Sequence, residues 1–396
     1  MSSEKLRRAE GDSLCSRMFP QNGIFLPEEV ILKILLSLPV RSILQFKSVC
    51  KLWKTLISDP GFVKSHLQTS THKLLVSLVQ SEEPYKILSY PVKSLFENQL
   101  STPVEPDSFT FLENPSPPIK HDSLSMIDRY IIIDSCNGLL CLFDTTLNSV
   151  IMCNPSTRMM SEMSPSAIGE GFEYLYITHY GFGYDQVNDK YKFLAARSNG
   201  YGIKIYTFGQ GYWTAAQYFS REPRRLLGKY VSGTLNWLAD DGSYTFAQTE
   251  ILSFDLDKET YRIVPLPQND IRNMCLPLLY VLNDCLCVFF ETSKTSWEMW
   301  LMKEYGVVES WTRFTIVPHQ RPTMRPSYVD PLIISENGVV LLVNTVTRKL
   351  SLYNSISGGS DFDYPLISTT VGYYRHICRD SLVSPLRTLY QHRNMS

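Results

Sequence analysis

The sequence predicts an α+β chain with more than one domain: a short N-terminal domain of three helices, followed by an all-β, propeller-like domain of about six four-stranded blades. Three observations lead to this fold class. Apolar residues recur at helical spacing between residues 26 and 67, and from His72 onward they alternate as in strands. Polar turns then return at a period of about fifty residues, which is typical of repeated units.

The 396-residue length accommodates one small and one large domain. Residues 1–24 are polar and patternless, which predicts a disordered tail. We expect the helical domain to occupy residues 25–70 and the β domain residues 71–386, with a C-terminal tail at 387–396.

The first helix is expected to begin at Leu26-Pro27, because proline is favoured in the first turn of a helix. Glu28-Glu29 then suits the positive end of the helix dipole. Apolar residues between Val30 and Leu38 share one face, and Pro39 ends the helix.

Two further helices are predicted in quick succession. The second begins at Ser42, a possible cap, and carries apolar residues as far as Val49. The third places its apolar residues between 52 and 57, and Asp59-Pro60 breaks it before one more helical turn or two. So small a unit has more apolar side chains than it can bury, so it needs a partner surface.

The β domain is predicted from its hairpins. Polar turns lie near residues 84, 138, 187, 233, 284 and 338, and Asn137-Gly138 is typical of a two-residue hairpin. The second half of each unit reads as strand, polar turn, strand, which completes four strands per unit. The first unit is short, and Asp380–Pro385 is expected to supply its missing strand and close the ring. The proline-rich segment 101–120 is either a functional long loop or a solvated spacer.

Composition excludes several classes of function. A net charge of −1 gives no field that would attract nucleic acid or an anionic membrane. The nine cysteines show neither CxxC nor zinc spacing, and the N-terminus lacks an apolar signal region, so we expect free thiols in the cytoplasm or nucleus. The chain has no GxSxG, HExxH or phosphate-loop motif and no histidines spaced for metal, so no catalytic residue, metal or cofactor is predicted.

At residues 26–67 the sequence strongly resembles an F-box, the motif that docks on the Skp-type adaptor of cullin ubiquitin ligases. The matching features are Leu26-Pro27-Glu28-Glu29, Leu38-Pro39-Val40, Leu44, Phe46, Val49-Cys50-Lys51, Trp53 and Leu56-Ile57-Ser58-Asp59-Pro60. The body resembles the plant F-box-associated domain, which is related in layout to kelch-repeat F-box proteins. Its markers are CNGLLCL (136–142), CNPSTR (153–158), GFGYD (181–185), LNWLA (235–239), ILSFDLDKETY (251–261) and SLVSP (381–385).

The resemblance implies a non-catalytic substrate-recognition subunit of an SCF-type (Skp–cullin–F-box) ubiquitin ligase. Its implied partners are a Skp-type adaptor, through it a cullin, and a target protein held by the top face or rim loops of the propeller, with no nucleic acid and no membrane. The implied adaptor-binding residues are Leu26, Pro27, Ile31, Ile34, Leu35, Leu38, Pro39, Val40, Leu44, Val49 and Trp53. Some of this apolar stripe must instead form the core of the helical domain. Basic residues on the same helices (Lys33, Arg41, Lys47, Lys51 and Lys54) favour an acidic partner or form an ordinary solvated face.

Two rival hypotheses stay open at this point. One is an F-box scaffold that binds the adaptor but no cullin. The other is a propeller that binds or hydrolyses sugars and carries a helical appendage, which predicts convergent acidic residues in the central channel.

Overall fold

The computed structural model describes residues 27–78, 86–97, 107–110, 130–167, 178–196, 202–219, 221–239, 249–267, 277–293, 296–316, 329–354 and 375–386. The tails predicted at 1–24 and 387–396 lie outside the described residues, as does most of the proline-rich segment 101–120. The described part of that segment, Asp107–Thr110, is a strand paired with residues 86–89, so it is not the loop or spacer that was predicted.

The N-terminal domain consists of four helices. They are α1 (Glu28–Ser37), α2 (Val40–Phe46), α3 (Lys51–Ser58) and α4 (Pro60–Thr69). Three helices lie in the predicted order, but the second begins at Val40, directly after Pro39, and not at Ser42, whose N–H donates to the Pro39 carbonyl inside the first turn. The extra turn or two expected after Pro60 is a full helix. Asp59 caps the start of this helix, because its Oδ1 accepts hydrogen bonds from the N–H groups of Gly61 at 2.8 Å and Phe62 at 3.1 Å. Proline at the next position needs no such partner, so the helix start is well capped.

Six antiparallel sheets follow. In chain order, the first three contain β1 (His72–Leu78), β2 (Lys86–Pro91) and β3 (Asp107–Thr110); β4 (Tyr130–Cys136), β5 (Leu139–Asp144), β6 (Ser149–Asn154) and β7 (Met159–Met160); and β8 (His179–Asp185), β9 (Lys190–Ala196), β10 (Ile203–Thr207) and β11 (Trp213–Ala216). The next three contain β12 (Lys229–Val231), β13 (Thr234–Ala239), β14 (Glu250–Asp255) and β15 (Thr260–Val264); β16 (Leu278–Leu282), β17 (Cys285–Ser293), β18 (Ser296–Met302) and β19 (Trp311–Ile316); and β20 (Val329–Ile334), β21 (Val339–Asn344) and β22 (Leu350–Asn354). The last strand is β23 (Arg375–Arg379), and a short helix α5 (Val92–Glu97) follows β2.

The sheets are the blades of a closed six-bladed propeller. The first strand of each later blade contacts the first strand of the next, so that β4, β8, β12, β16 and β20 form most of an inner ring. The ring is completed by β23, which pairs with β1 in the first blade and contacts both β20 and β4. Closure removes exposed edges from the inner ring, as the sequence predicts.

The closing strand lies at a different position from the predicted one. Arg375–Arg379 pairs with β1, whereas Asp380–Pro385 leaves the sheet and turns toward the helical domain. The physical reason is that a pairing between strands at opposite ends of the chain carries no local sequence signal that fixes its register.

Burial within the blades follows strand position. Every residue of β5 and of β6 is buried, because the middle strands of a blade are covered on both faces by neighbouring blades. The outer strand β11 is half-buried or exposed throughout. The central strands therefore read as nearly continuous apolar runs, not as strict alternation.

The predicted hairpin turns near residues 138, 187, 233, 284 and 338 are confirmed, and the one near residue 84 lies outside the described residues. Asn137 and Gly138 have φ values of +53° and +78°, as a mirror-type two-residue turn requires. All of these turns join an inner strand to the second strand of its blade. They therefore lie on one side of the ring, which we call the turn face (137–138, 186–189, 232–233, 283–284 and 335–338).

The opposite side of the ring, the loop face, holds the connections from the second to the third strand of each blade and those from one blade to the next. Described examples are residues 145–148, 221–228, 265–267 and 345–349. The helical domain enters the propeller at the start of β1, beside the end of β23, and therefore on the turn face.

Gly138 and Gly233 provide a matched test of how tightly the turn face is packed. Both have φ near +80°, so alanine at either site pays a conformational cost of about 1–2 kcal/mol. A Cβ at Gly138 would meet Ser381 and lie 2.7 Å from the carbonyl oxygen of Arg379, whereas at Gly233 no described heavy atom lies within 4 Å. We expect Gly138→Ala to lower the free energy of unfolding by about 1–3 kcal/mol more than Gly233→Ala, measured by urea denaturation. Equal losses would contradict this packing.

Candidate functional site

The helical domain separates the predicted adaptor-binding residues into three groups by exposure. Pro27, Ile34, Pro39 and Val49 are exposed; Ile31, Leu38, Leu44 and Trp53 are half-buried; Leu35 and Val40 are buried. Leu26 lies outside the described residues. The predicted set therefore mixes residues that can reach a partner with residues that hold the domain together.

Leu35 and Val40 belong to the core of the helical domain. Each is 1% exposed and packs in the domain core with Ile43, Ile57 and Phe62. Helical periodicity identifies the apolar face of a helix, but it does not indicate which part of that face turns inward. These two side chains have no surface to offer a partner in this structure.

Two further exposed apolar residues lie outside the predicted set. Val30 is 38% and Leu52 45% exposed, beside Ile34 at 47% and Val49 at 64%. We call Val30, Ile34, Val49 and Leu52 the apolar surface. Val30 and Ile34 are four residues apart on α1 and so lie on the same side of that helix. The sequence indicated such a surface, because the helical segment has more apolar side chains than one small core can bury.

Most of the basic side chains predicted to face a partner are exposed on the helical domain. Lys33, Arg41, Lys51 and Lys54 are exposed, and Lys47 is half-buried. Burial lowers the pKa of the Lys47 ammonium, and the nearby charge of Lys54 lowers it further. Two positive charges close enough to repel one another favour contact with an acidic partner.

A second feature joins the helical domain to the propeller. We call Asp380–Val383 the clasp. Asp380 is 5% exposed, and its N–H donates to the Thr71 carbonyl at 2.8 Å. Its Oδ2 accepts from the backbone N–H of Val40 at 3.4 Å, and its Oδ1 pairs with Lys73 Nζ at 3.0 Å and accepts from the Ser156 hydroxyl. One carboxylate thus touches a helix of the small domain, the first strand and the second blade.

The remaining residues of the clasp also contact both the helical domain and the second blade. Leu382 is 6% exposed and belongs to the same apolar cluster as Leu35 and Val40. From the second blade, Asn154 Nδ2 donates to the carbonyl oxygens of Ser381 at 2.9 Å and Val383 at 2.7 Å. The segment SLVSP, a marker of the β domain in the sequence, is therefore the joint between the two domains.

The inner ring bears on the rival sugar-binding or hydrolytic hypothesis. Among the described inner-strand residues the carboxylates are Asp134, Asp185 and Asp330. Asp330 pairs with Arg375 at 2.7 Å and accepts from the Tyr280 hydroxyl at 2.7 Å. Burial and the Asp330 charge raise the pKa of Tyr280, so the phenol keeps the proton that it donates.

The other two carboxylates have partners as well. Asp134 lies 3.6 Å from His376 Nδ1 and accepts from the N–H of Ser135 at 2.8 Å. Burial alone would raise the pKa of Asp185, but hydrogen bonds from Asn188 and the Lys192 ammonium, 3.1 Å away, outweigh it and lower that pKa. Each of these three acids is therefore tied to a neighbouring basic or polar group.

The described part of the chain shows seven free cysteines; Cys15 and Cys275 lie outside it. Burial raises the pKa of the Cys141 and Cys153 thiols, which keeps them protonated and unreactive. Within the described ranges, no cluster of three or more His, Cys, Asp or Glu side chains is arranged to hold a metal ion. None of the described helices is long and apolar enough to cross a membrane.

Comparison with known families agrees with this architecture. A model of the F-box domain matches residues 25–65, and a model of the F-box associated beta propeller domain matches residues 81–378. The second match alone covers more than half of the chain.

Relatives of similar length are found in Arabidopsis thaliana. An F-box/kelch-repeat protein is 30% identical over 385 residues, which cover 94% of this chain and 97% of the relative. The F-box protein CPR1 is 26% identical over 353 residues, or 82% of this chain and 81% of the relative. A further F-box protein is 26% identical over 356 residues, or 80% and 79% of the two chains.

The neighbours Ile34 and Leu35 test the division between surface and core. Leu35→Ala removes a fully buried side chain and is expected to destabilise the helical domain by about 2–5 kcal/mol. Ile34→Ala alters an exposed position and is expected to cost about 0.5 kcal/mol or less. Hydrogen exchange of the α1–α4 amides, followed by mass spectrometry, localises the effect. Equal loss of protection in both variants would refute the division.

Proposed function

The chain belongs to the F-box proteins that carry an F-box associated beta propeller domain, and from this premise we propose that it is the substrate-recognition subunit of an SCF-type ubiquitin ligase. The observation that carries the proposal is the pairing of an F-box domain that has exposed apolar side chains with a closed propeller. A Skp-type adaptor, and through it a cullin, would bind the first domain, and a target protein would bind the second.

The adaptor contact is proposed to centre on the apolar surface, Val30, Ile34, Val49 and Leu52. Burying side chains of this kind contributes about 1.5–3 kcal/mol each when they leave water completely. Pro27, Pro39 and the half-buried predicted residues would form its margin. The surrounding lysines would speed association with an acidic adaptor and contribute less to affinity.

The proposed mechanism is proximity. A receptor that binds a target and the ligase assembly together raises the local concentration of target lysines near a conjugating enzyme carried elsewhere in the complex. No residue of this chain is assigned a covalent step, and the cytoplasm, the nucleus or both remain the predicted location.

The target is proposed to bind the loop face. The helical domain and the clasp occupy part of the turn face, where the connections from the inner to the second strand of a blade are tight. The loop face holds the longer connections between blades, and segments of that kind on a rigid scaffold are where propellers vary their partners.

The adaptor proposal is tested with the double variant Ile34→Glu and Val49→Asp. Charge at the centre of an apolar interface is expected to weaken binding of the purified Skp-type adaptor by at least about 100-fold, as for loss of two central contacts. Binding is measured by calorimetry on the full chain. Val187→Asp is the matched control, since Val187 is 75% exposed but lies in a turn of the third blade.

Three results are informative. Loss in the double variant alone, with cullin recovered by the unmodified chain, supports the ligase proposal. Recovery of the adaptor without a cullin would instead support the scaffold hypothesis. An unmodified chain that binds no adaptor would overturn the assignment.

The position of the target site is tested with two exposed valines in tight turns. Val346 is 63% exposed on the loop face, and Val187 is on the turn face. We expect Val346→Asp to reduce the number of proteins captured by proximity labelling and Val187→Asp to leave it unchanged. Both variants are expected to bind the adaptor normally. If Val187→Asp alone reduced the captured proteins, the target site would lie on the turn face and the proposal would be contradicted.

A further inference from the structure

We propose that Asp380 and Leu382 are positioning residues that hold the F-box domain in one fixed orientation on the turn face of the propeller. The orientation is argued from contacts in the described residues. Its consequence for ubiquitin transfer rests on the proposed function, whereas the test below requires neither an adaptor nor a target.

The first argument is the number of separate elements that meet at one buried carboxylate. Val40 is the first residue of α2, so its N–H has no partner within that helix, and Asp380 Oδ2 accepts it at 3.4 Å. The same carboxylate pairs with Lys73 of β1 and accepts from Ser156 between β6 and β7. Rotation of the helical domain would separate Val40 from this group and leave a buried charge with fewer partners, which is costly.

The second argument is the shared core. Leu382 is continuous in the chain with the closing strand of the propeller, yet it packs in the core of the helical domain with Ile43, Ile57 and Phe62. Interfaces between domains of one chain are commonly polar and mobile, and a common apolar core is the exception that opposes such motion.

The third argument is that the clasp is itself immobilised by the propeller. Asn154 holds its backbone at two carbonyl groups, and Gly138 leaves no room for displacement toward the second blade. The residue before the clasp, Arg379, pairs with Asp284 of the fifth blade at 2.5 Å and approaches the Leu67 carbonyl of α4 at 3.5 Å.

The helical domain is therefore attached to the propeller through two segments of the chain. Thr69 ends α4 and His72 begins β1, so the covalent connection is short, and the Thr71 carbonyl within it accepts the N–H of Asp380. A hinge at this connection would have to break the clasp as well. Fixed geometry would restrict which lysines of a bound target reach the conjugating enzyme.

The test measures the distance between two spin labels on the full chain by pulsed electron resonance. One label replaces the exposed Thr55 on α3 and the other the exposed Lys349 on the loop face, both as noncanonical amino acids because the chain contains free thiols. We expect one narrow distance distribution in the unmodified chain. Asp380→Asn conserves the shape of the side chain and is expected to broaden the distance distribution by about two-fold, as for domains released from a fixed interface. The double variant Asp380→Asn with Leu382→Ala is expected to broaden the distribution further.

Asp330→Asn is the matched control, because it removes a paired carboxylate at the loop-face end of the inner ring and is expected to leave the distribution unchanged. Circular dichroism checks that each variant is folded, and Asp380→Asn alone decides the question if the double variant does not fold. A broad distribution in the unmodified chain, or the unmodified width in Asp380→Asn, would overturn the proposal. Failure to bind an adaptor would instead count against the proposed function and would leave the distance result standing.

Discussion

The antiparallel pairing of β23 with β1 is the contact on which the rest of the structure depends. It places His72 opposite Arg379 and Lys73 opposite Cys378, and so joins residues from the two ends of the described chain. The pairing completes the inner ring, which would otherwise leave an open edge in the first blade. It also delivers the next four residues to the helical domain, so that closure of the propeller and attachment of the F-box are achieved by one continuous segment.

This arrangement divides the molecule into surfaces with different roles. The turn face is partly covered by the helical domain, and its tight turns, such as Asn137-Gly138, leave little room for variation. The apolar surface on the helices is left uncovered and suits a protein partner. The loop face points away from both. A receptor that must hold two proteins together without contact between their binding sites is well served by this separation.

Much of the fold could be predicted because its signals are local. Asn-Gly pairs between apolar strand segments identify hairpins from a few residues, and their even spacing gives the blade number. The closing strand was misplaced because a pairing across about three hundred residues leaves no local pattern. Leu35 and Val40 were included in the adaptor-binding set because the F-box resemblance implies that set, and neither the resemblance nor the sequence pattern indicates which of its side chains are buried in the helical core. The interdomain role of Asp380 and Leu382 depends on tertiary contacts alone.

The central claim is that the apolar surface engages a Skp-type adaptor while the clasp keeps the propeller in place behind it. A cryo-electron microscopy structure of the full chain bound to that adaptor tests this most directly. We predict adaptor density over Val30, Ile34, Val49 and Leu52, with Asp380 still within hydrogen-bonding distance of the Val40 N–H. Adaptor density on the propeller blades, or a displaced Asp380–Val383 segment, would contradict the account.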